Sequence, residues 1–117
     1  MALSIIDRIR RSRQSTVSAG GFEFTISRPT DMDMLEIGSK MTQALMLERF
    51  VVGWSGVTEL DIVVGGAPEP VEFSTDLLSE WIADRPDLWN PLSEAIVGGY
   101  RAHESELDER VKNSKAG

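Results

Sequence analysis

The chain has 117 residues, no cysteine, 19 acidic and 12 basic side chains, and a net charge of −7. That length has room for one hydrophobic core, and the lack of cysteine excludes a disulfide framework, a thiolate metal site and a cysteine nucleophile. No apolar run reaches the roughly 18 residues that a membrane-spanning helix requires.

Charge is unevenly spread. Arg8, Arg10, Arg11 and Arg13 against Asp7 give the first 20 residues a charge of +3 and leave −10 on the rest. An acidic body repels nucleic acid. A basic arm attracts RNA, an acidic partner or an acidic patch on its own neighbour. The N-terminal segment places its basic residues after its apolar ones, the reverse of a secretory signal, so the expected location is the cytoplasm.

In chain order, Leu3, Ile5, Ile6 and Ile9 precede the arginines in the pattern of a short amphipathic helix, which at this length needs a partner surface to be stable. Residues 15–21, Ser-Thr-Val-Ser-Ala-Gly-Gly, read as a small-residue linker. Phe22, Phe24 and Ile26 alternate with Glu23, Thr25 and Ser27, the period of a half-buried strand. Pro29 stops it, and Thr30 with Asp33 forms an approximate capping box for the next element.

Residues 31–50 read as one helix. Asp31 and Asp33 lie in its first turn, where the dipole favours negative charge. Met34, Ile37, Met41 and Leu45 form a stripe beside Gly38 and Ala44. Methionine adapts its shape to varied apolar partners, so Met34 and Met41 are candidate contact residues. The Gly53-Trp54-Ser55-Gly56 run reads as a turn with an aromatic plug. A short strand is expected at 60–64 and another extended piece at 71–73, paired as a hairpin with 22–28 as a third strand, although Pro68 and Pro70 limit the pairing.

Ser74 is a good N-cap for a helix burying Leu77, Leu78, Trp81 and Ile82, which Asp84-Arg85-Pro86 ends. A turn carrying Leu88 and Trp89 follows. Asn90 and Pro91 predict the start of a last helix over about 91–112, burying Leu92, Ile96, Tyr100, Leu107 and Val111. Gly98 and Gly99 weaken that helix, and Gly99 permits close approach by another backbone.

The expected fold class is mainly α with a small β element (α+β): a short N-terminal strand or hairpin plus three to four helices in one small core. The expected organisation is a flexible basic arm at 1–21, a single globular helical domain at 22–112 and a frayed tail at 113–117.

Catalysis finds little support. His103 is the lone histidine, with no second His or Cys at metal-ligand spacing. No Asp or Glu falls on a predicted apolar face, where burial could separate two carboxylate pKa values. Residues 65–70 lack the Lys-Ser/Thr of a phosphate loop, and the Gly-Trp-Ser-Gly run is not a Gly-x-Ser-x-Gly nucleophile elbow. No catalytic, metal or cofactor-binding residue is assigned. Binding is the expected role, with Met34, Met41, Trp54, Trp81, Trp89 and Tyr100 as candidate partner-binding residues, tryptophan being enriched at interface hot spots.

Taken together, Phe22, Phe24, Arg28, Pro29, Gly53, Trp54, Gly56, Val57, Pro70, Phe73, Ser74 and Leu78 form a series across residues 22–110 that resembles the tail assembly chaperones of long-tailed double-stranded DNA phages and prophages. The resemblance implies a protein of the host cytoplasm that binds the long helical tape-measure protein before the tail tube polymerises. It would keep that partner soluble, help recruit tail tube protein and be absent from the virion. It also implies self-association as a homo-oligomer, and a longer form of the chain made by frameshifting near the gene's end. The alternative is a structural head–tail joining or tail-completion subunit that stays in the virion. A small nucleic-acid-binding regulator using the arginine arm is the third candidate, and the acidic body argues against it.

Overall fold

In the computed structural model, residues 3–116 are described, with side chains through Asn113. The class is the expected one: a three-stranded antiparallel sheet packed against helices. No helix among the described residues is long and apolar enough to cross a membrane.

Helix α1 (Ile5–Ser12) is capped by Ser4, whose hydroxyl accepts from the Asp7 N–H at 3.1 Å. After Arg13 the chain enters β1 (Gln14–Ala19), which pairs along its whole length with β2 (Phe22–Ser27), from Gln14 opposite Ser27 to Ala19 opposite Phe22. The stretch expected to be a linker is therefore a strand and its turn, so the flexible arm expected over 1–21 does not extend past Arg13. Its residues are too polar to show an apolar alternation, yet Ala19 is buried and Val17 packs on the core.

Gly20 and Gly21, at φ of 59° and 85°, close the hairpin. A two-residue hairpin loop with both φ positive matches the twist of the flanking strands. A Cβ on Gly20 would lie 2.6 Å from Leu88 Cδ2, so the turn is pressed onto the start of the last helix.

β2 is the central strand, and its alternation holds: Phe24 and Ile26 are buried and Glu23 is exposed. Its other neighbour is β3 (Val51–Ser55), with Phe24 opposite Trp54, and a bulge between Thr25 and Ile26. Residues 51–55, expected to hold the Gly-Trp turn, are thus extended. Pairing with β2 overrides the turn signal, and Gly56, at φ 75°, makes the reversal instead.

Two helices link β2 to β3 where one is expected. Thr30 and Asp33 form the anticipated capping box for α2 (Asp31–Ile37), with Asp33 N donating to Thr30 Oγ1 at 3.0 Å and Thr30 N to Asp33 Oδ2 at 2.8 Å. Gly38 then takes φ 50°, a 3₁₀ turn covers Gly38–Lys40, and Thr42 opens α3 (Gln43–Phe50) by accepting from Leu45 N at 3.1 Å. A glycine able to leave the helical region and a threonine able to recap together divide the 31–50 segment. The methionine stripe is divided with it.

Residues 60–64 are not a strand. Thr58 and Asp61 form a second capping box, starting the one-turn α4 (Glu59–Ile62). The expected hairpin reduces to one bridge between Thr58 and Pro70, with Val71 N donating to Val57 O at 2.9 Å. Helix α5 (Thr75–Ile82) is capped by Ser74 as expected and buries Leu78, Trp81 and Ile82.

Helix α6 (Pro86–Ala116) begins five residues before the expected start. Pro86 takes the first helical position, which tolerates a missing N–H, while Pro91 lies within the helix and leaves one carbonyl without its ladder partner. Asn90 is therefore not a cap. Leu88, Leu92 and Ile96 are fully buried. Leu107 and Val111, expected in the core, are 45% and 47% exposed, because the body ends near Tyr100 and His103 and α6 continues past it. The helix runs through Ala116, within the segment expected to fray, and Gly117 lies outside the described residues. Gly99 does meet a close neighbour: a Cβ there would be 3.1 Å from Arg28 Cβ.

Two consequences are measurable by chemical denaturation. Gly20→Ala loses about 1–3 kcal/mol through strain and collision with Leu88, whereas Gly21→Ala, which has open space around it, loses less. Leu92→Ala loses about 2–5 kcal/mol and Leu107→Ala stays within about 0.5 kcal/mol. Equal losses at 92 and 107 would mean that the far half of α6 is packed.

Candidate functional site: an apolar groove between three helices

An aromatic cluster fixes how the helices sit on the sheet. Trp81 on α5 meets Phe22 edge-on with ring centroids 5.0 Å apart, lies 6.2 Å from Phe24, and meets Trp54 of β3 edge-on at 5.7 Å. Trp54 in turn meets Phe73 at 5.0 Å and donates its indole N–H to Val71 O at 2.9 Å. Arg85 lies over the Phe22 and Trp81 rings and is held there by Asp87 at 2.9 Å.

With α5 fixed this way, α3 and the start of α6 come beside it and leave a groove of about 400 Å³. Gln43, Ala44, Leu47 and Glu48 line it from α3; Ser79, Ile82 and Ala83 line it from α5 and its cap; Trp89 lines it from α6. Leu47 and Ile82 are buried, while the small side chains of Ala44, Ser79 and Ala83 are exposed and leave room above them. Polar ties hold the walls in place. Gln43 Nε2 donates to Asn90 Oδ1 at 3.0 Å and to Ser93 Oγ at 3.1 Å, joining α3 to α6. Trp89 Nε1 donates to Ile82 O at 2.7 Å, joining α6 to the end of α5. The amide nitrogen of Gln43 is thus already engaged, and the groove offers a partner mainly apolar contact.

Of the residues expected to touch a partner, Trp89 lies in this groove. Trp81 is buried and Trp54 half-buried in the aromatic cluster, where they hold the core together. Met34 and Met41 are half-buried, Met41 against the core, and neither lines the groove. Tyr100 is half-buried and bonded elsewhere. The sequence-based reading missed the small residues. Ser79 and Ala83, one helical turn apart on one wall, and Ala44 on the other are the low side chains that leave the groove open.

A second cluster joins α2 to α6. Tyr100 Oη donates to Asp31 Oδ1 at 2.8 Å, and His103 Nε2 lies 3.1 Å from Asp31 Oδ2. This is a clamp between the first turn of α2 and the middle of α6. Among the described residues, no group of three His, Cys, Asp or Glu side chains is placed to hold a metal ion.

Compared with known protein families, curated proteins and solved structures, the chain matches none.

The clamps have a titration signature. Hydrogen bonds from His103 and then Tyr100 hold Asp31 below the ordinary value of 3.8. Partial burial pushes Asp33 up, but the Thr30 N–H and hydroxyl, with Arg49 at 2.9 Å, outweigh it and leave Asp33 lowered. The Thr58 N–H and hydroxyl lower Asp61, and Arg85 lowers Asp87. Each carboxyl thus holds its proton less tightly in the folded chain than in the unfolded one. The stability this gives is complete above the unfolded pKa and is lost as pH falls through the lower folded values. Denaturation midpoints should stay level from neutral pH to about 5 and drop below about 4, less steeply in Asp31→Asn. A midpoint that rises on acidification would contradict these clamps.

Proposed function

We propose that the protein acts by binding rather than by catalysis, as a tail assembly chaperone whose groove between α3, α5 and α6 holds the apolar face of a long helical partner, the tape-measure protein. Apolar helical faces aggregate when exposed in water, and a groove walled by helices receives such a face by its anchors at one-turn spacing. The groove carries this proposal: it has an apolar floor, small side chains along both walls and no convergent set of free polar groups of the kind that orients a small molecule. The acidic body supplies solubility to a loaded complex. In this role the protein works in the host cytoplasm, needs no cofactor, helps bring tail tube protein to the tape measure, and leaves before the virion is complete.

Co-expression with the tape-measure protein, read by solubility and co-purification, tests this role. The wild-type chain should bring the long protein into the soluble fraction. Ala44→Arg, at an exposed position in the groove, should reduce the co-purified amount about tenfold or more while the circular dichroism stays unchanged. A partner that stays insoluble beside the wild-type chain, or recovery of the chain from purified particles, would instead favour the head–tail joining or tail-completion subunit.

A further inference from the structure

Helix α1 has no core of its own. Leu3, Ile5, Ile6 and Ile9 are 42%, 72%, 60% and 46% exposed, and no residue of the helix is buried. The shallow hollow beside it is lined by Ile5, Arg8, Ile9 and Ser12, all from α1. An eight-residue helix in water is marginal without a packed face. Among the described residues, Arg8, Arg10 and Arg11 also make no ion pair.

We propose that α1 docks into the groove between α3, α5 and α6 of a second copy of this chain, linking copies head to tail. The two surfaces complement each other in polarity and in charge. Ile5 and Ile9 stand one turn apart on one face, matching an apolar floor of Leu47, Ile82 and Trp89 between low walls of Ala44, Ser79 and Ala83. The groove's one charged lining residue is Glu48. Glu80 stands three residues before Ala83 on α5, and Asp84 follows it. Among the described residues these three carboxylates make no ion pair. An arginine-bearing helix with an isoleucine face would therefore meet an acidic rim around an apolar floor.

Closure within one chain is disfavoured. Arg13 alone separates α1 from β1, Arg28 N donates to Arg13 O at 2.9 Å, and Gln14 is already paired with Ser27. The root of α1 is thus held at the sheet, and none of the groove's lining comes from α1. An anionic membrane is a poorer partner, because a body of charge −10 is repelled by it and so short a helix anchors little. Since donor and acceptor are different surfaces, the contact repeats as a ring or an open chain. This inference uses the groove and not the identity of a client, so it is tested with this chain alone.

Analytical ultracentrifugation of full-length variants is the test. The wild type should associate with rising concentration, less at high salt. Ile5→Asp/Ile9→Asp keeps the groove and strips α1 of its apolar face. Ala44→Arg/Ala83→Arg keeps the helix and blocks the groove. Each alone should associate at least about tenfold more weakly than wild type, with unchanged circular dichroism. Mixed, they should form a 1:1 pair that grows no further, since one competent contact remains. Glu48→Lys/Glu80→Lys, at exposed positions, should weaken association and remove its salt dependence. Three results would overturn the proposal: a wild type that stays monomeric, variants that associate as the wild type does, or a mixture that stays monomeric. So would binding to anionic phospholipid vesicles that Ile5→Asp/Ile9→Asp abolishes while self-association is unaffected.

Discussion

The indole of Trp81 touches rings on two of the three strands, Phe22 and Phe24 from β2 and Trp54 from β3. Edge-on aromatic pairs add stabilisation beyond the area they bury, and here two such partners, Phe22 and Trp54, converge on one residue of α5 with Phe24 tilted beside them. This convergence sets the angle at which α5 crosses the sheet. The angle in turn decides where Ile82 and Ala83 emerge and how Trp89, bonded to Ile82 O, closes the end of the groove. The tryptophans thus differ in what they do: two build the scaffold, and the third presents a face to whatever enters the groove.

The groove and α1 each leave apolar surface uncovered. They carry opposite charge, in keeping with a basic N-terminal segment on an acidic body. The proposed client binding and the proposed self-association both draw on this one groove. A long client helix and α1 of a neighbour would compete for the same walls, so loading and self-association would be alternative states of one surface.

Where local chemistry and long-range pairing agree, the sequence is easy to read. The alternation of β2, the Thr30 box and the Ser74 cap all stand in the structure as read. Where they compete, the outcome depends on partners far along the chain. Gln14–Ala19 has too few apolar residues to announce a strand, and it is one because β2 offers an edge. Gly53-Trp54 looks like a turn and is drawn straight by Phe24 opposite it. Residues 60–64 are rich in β-branched residues, yet the Thr58–Asp61 box overlaps their start and wins locally. Pro86 read as a stop for α5 and serves equally as the start of α6. The groove was the least legible feature, because its walls are small side chains whose importance lies in what they leave empty. Trp89 alone among the expected contact residues pointed to it.

Helix α6 is rooted in the body only along its first half. Gly99 lies against Arg28, Tyr100 and His103 grip Asp31, and from Glu104 to Asn113 every side chain is exposed. The remaining thirteen or so residues form a cantilever about 20 Å long. Its own backbone ladder keeps it straight, its direction is set at the root where Tyr100 and His103 meet Asp31, and a small rotation there is magnified into a large displacement at the tip.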